Sequence, residues 1–168
     1  MAKNAQYWID HLKLTKHPEG GYFKEVYRSN EFVNKKSLPD RYSSFRSFST
    51  SIYFLLQSHE FSAFHRILSD EIWHFYEGDP IQITAISAKG VLTKTLVGNS
   101  PEKGERYQCI IPKGYWFAAN VITPNSYTLV GCSVSPGFDF DDFELGKRSE
   151  LLKRFPQHKE IISKFTLI

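Results

Sequence analysis

The sequence predicts an all-β barrel or sandwich, formed by a single domain over residues 1–168. From residue 48 onward, short strand-like apolar runs follow one another closely, and turn signals built from Gly, Pro, Asn, Asp and Ser separate them. Aromatic residues make up 15% of the chain, and such large flat side chains suit a core packed between sheets. A chain of this length can bury that core without help from a metal or a disulfide.

The helical signals lie at the two ends of the chain. Trp8 and Leu12 fall at helical spacing and predict a short helix over residues 5–14. Two further short helices are predicted over residues 149–155 and 156–165, and a proline opens the second of them. These helices flank a chain that otherwise has almost no helical pattern, which is why the fold is predicted to be all-β.

The strands account for most of the middle of the chain. A Pro and a Gly pair within residues 17–21 predict a turn, and the polar residues 30–44 are typical of a surface loop. Runs of strand character, bounded by turn residues, cover residues 22–28, 51–56, 61–68, 71–76, 81–87, 91–97, 107–111, 116–121 and 127–134.

Composition excludes several classes of partner. The net charge is +3, and the 21 basic and 18 acidic residues are interspersed, which is not the electrostatic pattern of a nucleic-acid-binding protein. No apolar stretch approaches the ~18 residues of a membrane span, and the N-terminus has no basic-then-apolar signal pattern. We therefore expect a cytoplasmic protein with no membrane partner. In the reducing environment of the cytoplasm, Cys109 and Cys132 are expected to act as small buried apolar residues.

The segment 64–78 carries the densest group of ionisable residues, and we expect it to form the functional surface. His65, Glu71 and Trp73 lie in two strand-like runs, where a buried charge needs a partner or a task. Side chains alternate along a strand, so Glu71 and Trp73 share one face while His74 lies on the other. If Glu71 points into a barrel, His74 therefore points away from it.

The spacing of this segment resembles the first motif of the cupin superfamily. That motif places two histidines, a glutamate and a glycine in order, and here His65, Glu71 and Gly78 keep the spacing while Ile67 occupies the second histidine position. The second cupin motif is matched by the Pro-x-Gly of residues 112–114. Its histidine position is occupied by Phe117.

Longer strings resemble one small cupin family that has no settled function, the type-5 cupins. The strings are HPEGGY at residues 17–22, SDEIWHF at 69–75, PKGYW at 112–116 and SPGF at 135–138. The resemblance implies a double-stranded β-helix, or jelly-roll, barrel with short N- and C-terminal helices, usually paired as a homodimer. It also implies kinship in shape with the dTDP-sugar epimerases, although a fold does not by itself supply a reaction.

The candidate metal site lacks two of its family ligands. A working cupin site uses three histidines and a glutamate, and this chain retains His65 and Glu71 but has Ile67 and Phe117 in the other positions. Two ligands hold a metal weakly, and the apolar substitutions make the cavity drier. We therefore expect no metal and no other cofactor. The hypothesis that the protein is a metal-dependent cupin enzyme is less favoured.

Two functional hypotheses remain open for the cavity. In the first, the protein is an isomerase or epimerase acting on a small polar or sugar-like molecule, with His65 as general base and Glu71 orienting it. In the second, the barrel binds a small molecule without reaction, and the same two residues orient the ligand.

Further residues are predicted to contact that small molecule. Glu19 and Tyr22 are presented by the Gly-containing turn at the mouth of the cavity. The walls are predicted to be aromatic and to consist of Trp73, Phe75, Trp116 and Phe117. Residues 138–143 alternate Phe with Asp and are expected to form a hydrophobic lid or an interface strand.

Overall fold

The computed structural model describes residues 3–167 and consists of two antiparallel β-sheets with helices on their outer sides. The helices are α1 (Ala5–Leu12), α2 (Arg148–Arg154) and α3 (Lys159–Lys164). The strands are β1 (Thr15–Lys16), β2 (Tyr22–Arg28), β3 (Phe32–Val33), β4 (Arg46–Ser47), β5 (Thr50–Gln57), β6 (Ser62–Arg66), β7 (Asp70–Gly78), β8 (Ile81–Ile86), β9 (Leu92–Val97), β10 (Gln108–Ile111), β11 (Trp116–Val121), β12 (Tyr127–Ser135) and β13 (Glu144–Leu145).

The two sheets have the strand order of a jelly roll. The larger sheet runs β1-β2-β5-β12-β7-β10, and the smaller runs β13-β6-β11-β8-β9. Strands that are distant in sequence are therefore neighbours, as β12 lies between β5 and β7. Strands β3 and β4 form a separate two-stranded ribbon. The predicted all-β jelly-roll fold is confirmed.

The main core fills the space between the sheets. Alternation along each strand sends one set of side chains inward, so Phe54 of β5 and Phe117 of β11 enter the core from opposite sides. Trp73 of β7 packs against both of them, at ring-centroid distances of 5.5 and 6.5 Å respectively. This aromatic layer is continuous with the floor of the cavity described below.

The helices cover the outer faces of the sheets. Helix α1 packs Ile9 against Leu55 and Leu129 of the larger sheet. The C-terminal helices pack Leu151 and Ile162 against the smaller sheet. Among residues 3–167, no helix is long and apolar enough to cross a membrane.

The element boundaries differ modestly from those predicted. Helix α1 ends at Leu12, because Lys13 adopts a left-handed backbone conformation with φ of 55° and its N–H caps the helix. The predicted loop 30–44 contains β3 and a short 3-10 turn. The helix predicted over residues 156–165 begins as a 3-10 turn and becomes α-helical only at Lys159.

Candidate active site

A cavity of about 190 Å³ lies at one end of the barrel, between the larger sheet and the segment 138–143. Its walls come from the β1–β2 turn, from β2, β5, β6, β7 and β12, and from that segment. Ten of the lining side chains are apolar or aromatic, and eight are polar or charged. The lining residues are His17, Glu19, Phe23, Glu25, Arg28, Thr50, Ile52, Phe54, His65, Ile67, Glu71, Trp73, Cys132, Val134, Phe138, Asp139, Phe140 and Phe143.

The β1–β2 turn places Glu19 inside the barrel. A Cβ atom on Gly20 would clash with the carbonyl oxygen of Phe61, so only glycine permits this close approach, and its φ of 113° is in the region that glycine favours. The neighbouring carbonyl of Glu19 accepts a hydrogen bond of 2.7 Å from the N–H of Ala63. The turn is thereby fixed against β6.

Glu19 and His65 form a buried pair. The Nε2 atom of His65 lies 3.0 Å from Oε2 of Glu19, and the hydroxyl of Ser62 donates to Oε1 at 2.8 Å. On the other side of the ring, Nδ1 of His65 lies 2.8 Å from the carbonyl oxygen of Ala63. A carbonyl only accepts, so Nδ1 carries the proton and Nε2 of the neutral ring is the acceptor.

The proton between Glu19 and His65 belongs to the carboxyl. Burial, together with the nearby charge of Glu71, raises the pKa of Glu19 well above its usual value. Burial also lowers the pKa of His65 to about 3. A protonated Glu19 carboxyl therefore donates to the neutral imidazole, and both ring nitrogens of His65 are occupied by protein groups.

His17 is a second neutral imidazole on the same wall. Its Nδ1 atom accepts the backbone N–H of Glu19 at 3.3 Å, so Nε2 carries the proton. Burial lowers the pKa of His17 to about 4. Its ring packs edge-on against Phe23, with centroids 4.6 Å apart. His17 thus contributes an N–H donor and no positive charge at neutral pH.

Glu71 is the second buried carboxyl of the cavity. It is 8% exposed, and burial raises its pKa to about 7. The Cys132 thiol and the Trp73 indole N–H partly oppose that rise. The thiol is a weak donor, and the buried indole nitrogen has no hydrogen bond of ordinary length and angle. The carboxyl therefore keeps free hydrogen-bonding capacity.

The segment 138–143 closes one side of the cavity with three phenylalanines. Phe138, Phe140 and Phe143 contact one another, with ring centroids 5.0 to 6.4 Å apart. A buried ion pair anchors the segment, because the guanidinium of Arg46 donates to both carboxylate oxygens of Asp142 at 2.7 and 2.5 Å. Phe140 remains 53% exposed, so the segment is partly open to solvent.

The mouth of the cavity carries the charged side chains. Arg28 donates to both carboxylate oxygens of Glu25, at 2.9 and 2.7 Å, and to the carbonyl of Phe138 at 3.0 Å. Asp139 lines the cavity nearby and adds a second acidic group. The single arginine is thus already paired with a carboxylate.

A family model described as the cupin superfamily (DUF985) matches residues 6–146 of the chain. The chain belongs to this family. The uncharacterized protein YML079W of Saccharomyces cerevisiae is 32% identical over 160 residues, covering 89% of this chain and 79% of the relative.

Two solved structures are similar over the whole of this cupin. Protein SO0799 of Shewanella oneidensis is 40% identical, with a TM-score of 0.89, and the match covers 99% of both chains. A hypothetical protein from Leishmania major is 36% identical, with a TM-score of 0.90, and the match covers 99% of this chain and 100% of that chain. None of these three relatives is described with an activity.

Four of the residues predicted from the sequence line the cavity of this cupin. They are His65, Glu71, Glu19 and Trp73. The predicted pairing of His65 with Glu71 is not what the structure shows, because the carboxyl bonded to His65 is that of Glu19. The turn that carries Glu19 reaches β6 directly, whereas Glu71 enters the cavity from the opposite sheet.

The other four predicted ligand residues do not line the cavity. Tyr22 and Trp116 lie on the outer faces of their strands, where Tyr22 packs near α1 and Trp116 packs near the C-terminal helices. Phe117 lies inward but behind His65, with ring centroids 4.0 Å apart, and Phe75 packs against the main core. For Tyr22 and Trp116 strand alternation explains the difference, because it turns the neighbouring side chain inward, as with Phe23 beside Tyr22. Phe117 and Phe75 belong to the core layer instead of the cavity wall.

Two further cavity residues are absent from the site predicted by the sequence. They are His17, which begins the family string that contains Glu19, and Cys132. Alternation places Cys132 on the same face as Val134, so an inward-facing strand assignment would have found both. The residues 138–143, predicted as a lid or an interface strand, lie at the cavity as a lid would.

The cavity does not fit the metal site of working cupins. Ile67 lines the cavity and Phe117 faces His65, so neither family ligand position supplies a donor. His65 already bonds Ala63 and Glu19 through its two nitrogens. Over residues 3–167, no three or more His, Cys, Asp or Glu side chains are grouped as metal ligands.

Proposed function

We propose that this cupin binds one small molecule, with its apolar face against the aromatic walls and its polar end at the buried acids. The observation that carries the proposal is Glu71, a buried carboxyl with unused hydrogen-bonding capacity beside the unpartnered indole nitrogen of Trp73. Leaving buried polar groups without partners costs free energy, and a ligand with a complementary group recovers it. Aromatic walls with a few convergent polar groups are typical of ligand sites.

The size of the cavity favours a small ligand. Its volume of about 190 Å³ lies below the ~300–1,000 Å³ of pockets that enclose drug-sized molecules. A single-ring molecule suits that volume better than a complete nucleotide sugar. The sugar-like ligand implied by kinship in shape with the dTDP-sugar epimerases would therefore be a monosaccharide-sized molecule rather than its nucleotide conjugate.

Filling the cavity tests this binding role. Ile52 lines the cavity, so Ile52→Trp should abolish saturable thermal shifts with a library of single-ring fragments, while Ile52→Val should retain them. Circular dichroism of both variants checks that the fold is kept. The proposal fails if the parent protein shows no saturable shift with any fragment, or if the Trp variant binds as the parent does.

A second candidate function is proton transfer of the isomerase or epimerase type. It is favoured by the pKa of Glu71, which burial brings to about 7, because an acid–base catalyst works best when its pKa is near the working pH. The Glu71 carboxylate would remove a proton from a carbon next to a carbonyl, and the electron pair would move to the carbonyl oxygen. The Glu19 carboxyl would then return a proton to carbon, with His65 acting as its positioning residue.

Isotope exchange tests this reaction directly. With cyclohexanone in heavy water, the parent protein should incorporate deuterium next to the carbonyl faster than buffer alone, and Glu71→Gln should not. The exposed Glu150→Gln serves as the matched control, because it removes an acid outside the cavity. Exchange at the buffer rate in the parent protein would leave only the binding role.

We also infer that the protein is a homodimer. Strand β2 pairs with β1 only at Tyr22 and Phe23, so residues 24–28 have no partner strand on that edge within residues 3–167. Exposed aromatic side chains follow along the same part of the chain, at Tyr27, Phe32, Phe45 and Phe48. An unpaired edge beside exposed apolar groups is a ready surface for a second copy.

A further inference from the structure

We propose that the ligand of this cavity is a small organic cation, such as a ring-bearing amine, held by the aromatic walls and by the carboxylate of Glu71. This inference rests on the proposed binding function and specifies the charge of the ligand. The inference rests on the acidic side chains of the cavity wall, on the absence of an unpaired cation among the described lining residues, and on the aromatic rings of the wall.

The wall contains an excess of acids. Two buried carboxyl groups, Glu19 and Glu71, lie inside the cavity, and Glu25 and Asp139 lie at its mouth. Among the described lining residues the basic side chains are His17, His65 and Arg28. The net charge of the wall therefore depends on whether these three side chains carry an unpaired positive charge.

None of the basic groups offers a free positive charge to an anion. Burial keeps His17 and His65 neutral, because it lowers their pKa values to about 4 and about 3. Arg28 is committed to both carboxylate oxygens of Glu25. An anionic ligand would therefore enter a cavity that holds acids and no unpaired cation, and it would lose its hydration without compensation.

The aromatic rings supply the other half of a cation site. Trp73 and Phe54, whose ring centroids are 5.5 Å apart, line the cavity, as do Phe138, Phe140 and Phe143 of the segment 138–143. The faces of such rings carry negative electrostatic potential and attract ammonium groups, most strongly when water is excluded. A carboxylate beside aromatic faces thus binds an ammonium through two independent attractions.

The state of Glu71 couples binding to protonation. Burial raises the pKa of Glu71, and the Cys132 thiol on β12 and the Trp73 indole N–H on β7 partly oppose that rise. The other titratable groups that line the same cavity are His17 and Glu19 on the β1–β2 turn, His65 on β6, and Arg28, Glu25 and Asp139 at the mouth. Near neutral pH the carboxyl is partly protonated. An ammonium favours the ionised form, so the bound cation should displace the proton into the buffer.

Three single-ring probes that differ in charge test the inference. Benzylamine is a cation, benzyl alcohol is neutral and benzoate is an anion at a pH of about 8. Titration calorimetry should show benzylamine binding about tenfold or more tightly than benzyl alcohol, with benzoate weakest. Benzylamine affinity should rise as pH increases from about 5.5 to about 8, with proton release detected by comparing buffers of different ionisation enthalpy.

Two variants separate Glu71 from general charge effects. Glu71→Gln keeps the shape of the side chain and removes its charge, so it should abolish the preference for benzylamine over benzyl alcohol. Glu150→Gln removes an exposed acid outside the cavity and should change neither. If the first variant does not fold, proton release by the parent protein still tests the role of Glu71.

The possible results distinguish failure of the cation inference from failure of the proposed binding function. Equal binding of benzylamine and benzyl alcohol, or tightest binding of benzoate, overturns the cation inference and leaves the binding role intact. Absence of proton release on binding benzylamine also overturns it. Failure of all three probes to bind at millimolar concentration contradicts both the charge preference and the binding role.

Discussion

Glu71 should make the stability of the protein fall as the pH rises. Its folded pKa of about 7 lies above the ordinary value of 4.5, so the folded state binds the proton more tightly than the unfolded state does. The stabilisation is complete below about 4.5 and is lost as the pH rises through about 7. Glu71→Gln should therefore gain stability relative to the parent between these values, by up to roughly 3 kcal/mol.

Urea unfolding of both proteins at a series of pH values measures this effect. The two histidines act in the opposite direction, because their depressed pKa values of about 4 and about 3 give stability that is present above about 6.5 and is lost in acid. Both proteins retain His17 and His65, so that effect cancels in the difference. A difference that does not change with pH would contradict the buried, protonated state assigned to Glu71.

The partner of His65 was not predictable from the sequence. Glu71 is close to His65 along the chain and has the spacing of a cupin ligand, whereas Glu19 lies in a distant turn. Only the close approach of Gly20 to β6, which is a tertiary feature, brings Glu19 to the imidazole. Sequence spacing therefore placed His65 and Glu71 in the same site, and both line the cavity. It did not predict that His65 bonds to Glu19.

At the level of elements, the Arg46–Asp142 ion pair should control the aromatic segment 138–143. Both side chains are almost fully buried, so Asp142→Ala leaves an unpaired guanidinium and should cost about 3–5 kcal/mol. The same change should speed hydrogen exchange at the amides of residues 138–143, because it releases their anchor. Exchange measured by mass spectrometry on peptides that cover the segment tests this.

The neighbouring ion pair provides the matched control. Arg66 and Glu144 also pair closely, but they are 31% and 47% exposed, so Glu144→Ala should cost less than about 1 kcal/mol. It should leave exchange in residues 138–143 unchanged. If Asp142→Ala accelerates exchange only in proportion to its loss of global stability, the ion pair is not a local anchor of the segment.

The positions of the strands were predictable because the sequence pattern of a strand is local. The face of each strand that turns toward the cavity was not predictable. Runs of apolar residues between turn residues located β2 and β11 at their observed bounds. Alternation gives only the relative faces of neighbouring side chains, and the absolute face depends on where helices pack. Tyr22 and Trp116 were therefore expected in the cavity, although they lie against the terminal helices.

For the whole molecule, the two sheet edges differ in what they expose. The β2 edge is unpaired at residues 24–28 and lies close in sequence to the exposed Phe45 and Phe32, whose rings are 5.3 Å apart. The opposite edge is β10, which exposes Ile110. The sequence alone could not rank these edges, because the strand order that creates them comes from pairing between distant segments.

We expect sedimentation velocity at micromolar concentration to give twice the chain mass for the parent protein. Removing the exposed aromatic pair, in the Phe32→Ser and Phe45→Ser double variant, should give a monomer, because the buried apolar area would be lost from one interface. Ile110→Ser removes a comparably exposed apolar side chain from the far edge and should leave the dimer intact. A monomeric parent protein would contradict the dimer, and dissociation by the Ile110 variant alone would place the contact on the β10 edge instead.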